Sequence, residues 1–163
     1  MQLLGGIFLT LLLLFPPCVL AATYQGVVER VIDGDTIVID GTTVRLIGID
    51  TPETKHPDKP IQCFGQEASD YATERLEGKR VKYVTDEKYP AQDKYDRLLA
   101  YLRDSKGFFN ADMIKKGYAF AYTRFPFKFE KRFVKYEKKA KKKLLGLWGQ
   151  CEVTCENNKC ETN

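Results

Sequence analysis

Five segments with β-type alternation, a helical segment before the fourth and two more after the fifth, predict an α+β domain with a mainly β core. That order fits a five-stranded Greek-key barrel of the OB type carrying three helices, and no alternating βαβ pattern supports a parallel sheet. The Asp-Gly steps at Asp33-Gly34 and Asp40-Gly41 are the second observation. They suit primed two-residue hairpin turns, because glycine accepts the positive φ such turns need, and they divide the first half into a three-stranded meander. The third observation is size. A chain of 163 residues, 44% of them hydrophobic, can bury one core but is short for two domains.

Residues 24–32 alternate as the first strand and lead into the first Asp-Gly step. Residues 36–39 and 44–49 are the next two strands. Their period of two puts Arg45 on the face opposite Val44 and Leu46, aimed out of the barrel side. After Glu53 the segment KHPDKPIQ is a loop, with two prolines and no apolar period. Residues 65–77 read as a helix, with Phe64, Ala68, Tyr71, Ala72 and Leu76 on one side and Gly78 placed to end it. Residues 80–85 form a strand, 86–96 a polar loop and 98–102 the fifth strand. A short helix follows with Asn110 as its N-cap, Phe109 stapled onto Ile114 and Gly117 at its end. Residues 118–122 are extended or irregular. The last helix spans 128–145, with Phe129, Phe133, Tyr136, Ala140 and Leu144 as a buried stripe. No internal repeat is present.

The net charge is +4, unevenly spread, with nine basic residues between positions 128 and 143 against Glu130 and Glu137. A solvated helix face is the ordinary reason for such a run, and a path for a phosphate backbone is the other. Residues 1–22 are uncharged, hold an apolar run at 7–15 and end in Val19-Leu20-Ala21-Ala22. This pattern reads as a secretory signal peptide. Because no Lys or Arg follows Met1, an uncleaved membrane anchor is the alternative. Removal of the leader leaves Cys63, Cys151, Cys155 and Cys160, an even number that points to two disulfides in an exported protein. Zinc is the rival, but the C-x-x-C spacing is absent and the lone His56 is distant in sequence. The expected organisation is therefore a leader at 1–22, a domain at 23–150 and a polar, cysteine-containing tail at 151–163.

Chemistry is concentrated in IDGDTIVIDGTTVRLIGIDTPE, residues 32–53. Asp35 opens the second strand and Asp50 closes the third, with Glu53 a turn further on. Matched strands would bring two carboxylates to one sheet edge beside Arg45, which describes a hard-cation site. Against this stand the ordinary roles of Asp beside Gly in turns, which we assign to Asp33, and of a strand Arg in surface ion pairs. VIDGDT at 31–36, RLIGIDTPE at 45–53 and DKYDRLLAY at 93–101 together resemble the staphylococcal nuclease family, over roughly residues 24–148.

The resemblance implies an OB barrel with three helices and an endonuclease that uses Ca²⁺. Its substrates would be DNA and RNA, cut with little sequence preference to leave 3′-phosphate ends. The Asp35 and Asp50 carboxylates and the Thr51 carbonyl match the family's calcium ligands. Glu53 matches the glutamate that positions or deprotonates the attacking water, and Arg45 and Arg97 match two phosphate-binding arginines. Asp93, Lys94 and Tyr95 fall where the family contacts a terminal phosphate, and Tyr122 falls on a base-stacking position. Asp96 stands where the family has glycine and Arg124 where it has a second tyrosine, and both are departures. In the resembled fold the ends carrying Cys63 and Cys151 lie close, which implies that pair and leaves Cys155 for Cys160. Such a bridge closes a loop of about ninety residues, worth on the order of 4 kcal/mol in the chain-entropy model.

The residue types agree with that chemistry. Phosphodiester hydrolysis needs an activated water, positive charge to meet the developing anion and help for the leaving oxygen. Arginine offers a planar fork that grips one phosphate with two hydrogen bonds. No element looks built for the major groove, so weak base readout is expected. The competing reading is a non-catalytic OB module that binds single-stranded nucleic acid or a protein partner. The presence of all of Asp35, Arg45, Asp50, Glu53 and Arg97 favours the enzyme. The expected form is a monomer with no stable protein partner.

Overall fold

The computed structural model describes residues 22–55, 60–88, 90–157 and 159–163. The expected leader and the middle of the KHPDKPIQ loop, with His56, lie outside them, apart from Ala22. Among the described residues no helix is long and apolar enough to cross a membrane.

The chain begins with an eleven-residue strand, β1 (Thr23–Asp33), which serves two neighbours. Its first half pairs antiparallel with β5 (Arg80–Val84), and its second half with β2 (Thr36–Ile39). A register shift between Val28 and Arg30 bends it where one neighbour gives way to the other, the role of a bulge in a barrel. β3 (Thr42–Leu46) pairs with β2 and, in parallel, with β6 (Leu98–Asp104), which returns to β5. The ring β1-β2-β3-β6-β5 closes, so the expected five-stranded barrel is present. Inward side chains such as Val28, Ile37, Ile39, Val44, Leu46 and Leu102 fill it at no more than 1% exposure.

Local turn chemistry explains much of the meander. Asp40 and Gly41 both take positive φ, 44° and 77°, as a type I′ turn requires. The first turn is shifted by one residue from expectation and is not of the primed type, since neither Gly34 nor Asp35 takes positive φ. Asp33 pairs with Thr36, so Gly34 and Asp35 form the turn and Asp35 precedes its strand. The expected strand at 44–49 is also interrupted. β3 stops at Leu46, and Gly48 at φ 75° re-aims the chain into β4 (Ile49–Asp50). A Cβ on Gly48 would meet the Phe127 ring at 2.5 Å, so both conformation and contact demand glycine. β4 pairs with β8 (Phe120–Ala121), so the segment expected to be extended or irregular is extended there.

Helix α1 (Gly65–Leu76) buries Ala68, Ala72 and Leu76 as its spacing predicts. A two-residue strand, β7 (Gly107–Phe108), precedes α2 (Phe109–Lys116). Asn110 is not the N-cap. It lies inside the first turn of α2, fully buried, accepts a hydrogen bond from Leu102 N–H at 2.9 Å and donates to the Ile47 carbonyl at 3.0 Å. Phe109 is likewise within the helix and cannot act as a staple from outside it. It packs instead on Tyr71 of α1, ring centroids 6.3 Å apart.

α3 (Glu130–Lys142) is shorter than expected, and Leu144 is 67% exposed at φ 53° rather than buried. The chain turns there so that Leu147, at the start of α4 (Leu147–Gln150), can enter the core and donate its N–H to the Gly117 carbonyl. Phe133 anchors α3 against Phe108, Phe127 and Phe129, and its lysines face outward.

The tail forms a hairpin, β9 (Val153–Glu156) and β10 (Lys159–Thr162), which exceeds the expectation of a polar tail held by cysteines alone. Cys155 bonds Cys160 across it, and Cys63 bonds Cys151 over a separation of 88 residues. Thr162 Oγ1 donates to the Cys63 carbonyl at 2.7 Å, which docks the hairpin beside α1.

One buried ionic group went unnoticed in the sequence. Arg75 of α1, 3% exposed, donates through Nε and Nη2 to Asp104 at 2.6 and 3.0 Å, and through Nη1 to Asp112 and Tyr71. It ties α1, the end of β6 and α2 together. Burial alone would raise the Asp104 carboxyl, but the Arg75 hydrogen bonds overcome this and hold it below the usual range. A lowered folded value means that this stabilisation is complete above the unfolded value near 4 and is lost as pH falls through the folded one. Asp104→Asn is therefore expected to cost about 3 kcal/mol at neutral pH, because it weakens a buried pair from one side. Urea midpoints measured from pH 7 down to 3 should fall less steeply below about pH 4 in the variant than in the wild type.

Candidate active site

The site is assembled at the ends of β3, β4 and β6. Arg45, the penultimate residue of β3, lies opposite Thr36 in β2 and Leu99 in β6. Its guanidinium folds over the strand end. Nη1 donates to the carbonyls of Leu46 at 3.1 Å and Ile49 at 2.9 Å, and Nη2 reaches Asp50 Oδ1 at 2.9 Å and Asp35 Oδ2 at 3.0 Å. Arg45 thus braces the Gly48 turn and holds the two carboxylates among the three expected metal ligands. Asp35 Oδ2 also accepts the Thr51 N–H at 3.0 Å, which brings Thr51 to the same cluster. Asp33 accepts the Asp35 N–H at 3.1 Å, the turn role the sequence assigns to it.

Negative charge is in excess here. Burial, reinforced by repulsion from Asp35, pushes Asp33 up to about 7. Burial also raises Asp50, which Arg45 opposes and Asp35 reinforces, leaving it at about 6. One guanidinium does not neutralise three neighbouring carboxyls, so the cluster has the charge and the oxygen donors that a hard cation takes. Among the described residues no three His, Cys, Asp or Glu side chains cluster as a metal site by themselves. The expected set of two carboxylates and the Thr51 carbonyl differs from such a cluster, and its residues are close together here.

Gly34 keeps that arrangement tight. A Cβ there would lie 2.7 Å from Thr51 Cγ2 and 3.2 Å from Met113 Cε. Only a glycine lets the first turn approach Thr51 so closely.

Glu53 follows β4. Its Oε1 accepts the N–H groups of Thr54 at 2.9 Å and Lys55 at 2.8 Å, so it caps its own turn while facing a cleft of about 90 Å³ shared with Asp50 and Thr51. Gln62, missed in the sequence, clamps it: Gln62 Oε1 accepts the Glu53 N–H at 2.8 Å, and Gln62 N–H donates to the Glu53 carbonyl at 2.9 Å.

Arg97 directly precedes β6, beside β3, so Arg45 and Arg97 line one cavity of about 550 Å³. Asp93 is its counter-ion, at 2.8 Å from Nε and 2.7 Å from Nη2. The other Asp93 oxygen accepts the N–H groups of Tyr95 and Arg97 at 2.9 and 3.1 Å. Burial opposes ionisation of Asp93, but these bonds prevail and hold it below the usual range. Its carboxylate is thus turned to Arg97 as an organiser of the loop. Asp96 takes φ 59°, which explains why glycine suits this position; aspartate is among the residues that tolerate the left-handed region.

Tyr95, 64% exposed, carries Lys94 Nζ at 4.8 Å and the Arg97 guanidinium at 5.4 Å over its ring. Across the cavity Tyr122 donates its N–H to the Gly48 carbonyl at 3.0 Å and sits near Phe125, with Arg124 between them in sequence. Lys159 of the hairpin completes the lining, and no pattern in the tail sequence marked it. The cavity therefore joins five cations, Arg45, Lys94, Arg97, Arg124 and Lys159, and the rings of Tyr95, Tyr122 and Phe125 to Asp50 and Asp93. Asp35 lies beneath it, 5% exposed, and Glu53 and Thr51 lie in the adjoining cleft, with Asp50 as the shared wall.

A family model described as staphylococcal nuclease homologue matches residues 43–150. Thermonuclease of Staphylococcus hyicus is 39% identical over 131 residues, covering 77% of this chain and 75% of that protein. Thermonuclease of Staphylococcus intermedius is 41% identical over 126 residues, covering 74% of each. The SPbeta prophage-derived endonuclease YokF of Bacillus subtilis is 36% identical over 128 residues, 75% of this chain and 43% of that protein.

Gly34→Ala tests how closely the first turn and Thr51 must approach. Overpacking at a 2.7 Å contact is expected to cost about 1–3 kcal/mol in chemical denaturation. A variant as stable as the wild type would show that the turn can retreat without loss.

Proposed function

This chain belongs to the staphylococcal nuclease family, and on that premise we propose that it is an exported, Ca²⁺-dependent endonuclease that hydrolyses DNA and RNA with little sequence preference and leaves 3′-phosphate ends. The observation that carries the reading is the convergence of Arg45, Arg97 and Asp50 on one cavity with Glu53 in the adjoining cleft. Two arginines, one near the end of β3 and one just before the adjacent β6, suit two oxygens of one phosphate, where their forks gain most as charge develops in the transition state. To do so, Arg97 must share its donors between Asp93 and substrate. The loop bonds that Asp93 accepts keep it in place during that exchange.

Asp35, Asp50 and the Thr51 carbonyl would hold calcium, which when bound supplies positive charge beside the phosphate and a site for water. Glu53, fixed by Gln62 and its own turn, would accept a proton from the attacking water. Attack at phosphorus with departure of the 5′ oxygen leaves the phosphate on the 3′ side. Tyr122 offers a ring face to a base, which reads little sequence, and Lys94 and Tyr95 would meet a terminal phosphate. Two disulfides and the leader-like segment at 1–22 support export.

Purified protein incubated with plasmid or RNA should cut both in calcium and neither in excess chelator. Arg45→Lys should lower kcat/KM by about two powers of ten or more, since lysine keeps charge but loses the fork. Full cleavage in chelator would count against the calcium requirement, and a near-normal rate for Arg45→Lys against the arginine assignment.

A further inference from the structure

We propose that the C-terminal hairpin forms a wall of the substrate groove, and that Lys159 binds a backbone phosphate of the nucleic-acid strand next to the phosphate held by Arg45 and Arg97. This rests on the reading of the cavity as a nucleic-acid site and extends it beyond residue 150, where the family match ends.

Three observations carry it. Lys159 lines the main cavity with Arg45 and Asp50, the Glu53 cleft, and a further groove of about 510 Å³ that it shares with Arg124. Lys159 is therefore common to three adjoining depressions, and a strand running from the main cavity into either of the others lies beside it. Second, its side chain is 50% exposed and pairs with Glu161, 38% exposed, at 2.7 Å. An ammonium has three donors and this pair engages one; solvent-exposed pairs of this kind are weak and readily shared with a phosphate. Third, its position is fixed. Cys160 next to it is bonded to Cys155, Thr162 donates to the Cys63 carbonyl, and the Cys63–Cys151 bond fixes the hairpin's origin. With its backbone held by two disulfides, Lys159 has only side-chain freedom to lose on binding a phosphate, unlike a lysine on a free tail.

The acidic side chains of Glu156 and Glu161 on the same hairpin restrict where a phosphate can sit. They favour a single contact at Lys159 over a run of phosphates along the hairpin.

The test measures binding apart from cleavage. A labelled single-stranded DNA of about a dozen nucleotides is titrated in chelator at several salt concentrations with wild type, Lys159→Ala and Lys159→Arg. Loss of one phosphate contact should weaken binding about three- to fivefold near 0.15 M salt and reduce the slope of log affinity against log salt by about 0.7. Lys159→Arg should restore most of both. Equal melting temperatures for the three proteins are expected from the exposure of the side chain. If Lys159→Ala binds with wild-type affinity and salt slope, the proposal is overturned. A wild type that binds the strand but never cuts it in calcium would sink the nuclease reading, while the binding difference would still uphold the role of Lys159.

Discussion

One guanidinium organises the functional end of this barrel. Arg45 spends its donors on two carbonyls and two carboxylates of its own chain, which fixes the reversal after β3 and gathers Asp35 and Asp50. The balance of charge gives this arrangement a chemical character as well as a structural one. Three carboxyls with a single arginine among them are under-neutralised, and burial keeps water from screening the excess. The barrel stability contributed by Val28, Ile37, Val44 and their neighbours is what allows such a cluster to persist. Parallel pairing of β3 with β6 then brings Arg97 alongside, so one strand contact places both arginines at one cavity.

The parts of the structure that depend on local grammar were legible in the sequence. Turn pairs, alternation and helix spacing gave the meander, the closing strands and the inner face of α1. The motifs around Asp35, Arg45, Asp50 and Glu53 marked most of the candidate site, since these residues lie close together in the sequence. What escaped depends on partners far along the chain. Asn110 follows the rule for a cap, but its hydrogen-bond partner at Ile47 lies 63 residues away and draws it into the core. Leu144 continues the helical period, yet the need to bury Leu147 ends the helix before it. Arg75 shows no local sign that it would be buried, because Asp104 and Asp112 come from other elements.

The residues that hold Glu53 and Thr51 in place were hidden for the same reason. Gln62 and Gly34 act on Glu53 and Thr51 through the fold, and neither residue type announces such a role. Asp93 was noticed for its place in a motif, but its contacts add a role as counter-ion and loop anchor for Arg97. Asp96 shows the reverse case, where a departure from glycine is absorbed because aspartate can take the left-handed conformation the loop requires.

On the function proposed above, the carboxylate cluster braced by Arg45 is a site for a hard cation. Calorimetric titration of calcium into the metal-free protein tests it most directly. The account predicts one site per chain, with affinity reduced at least about tenfold in Asp50→Asn, a change that keeps the hydrogen bond to Arg45 but removes the ligand charge. Absence of calcium binding to the folded wild type, or equal affinity in Asp50→Asn, would contradict it.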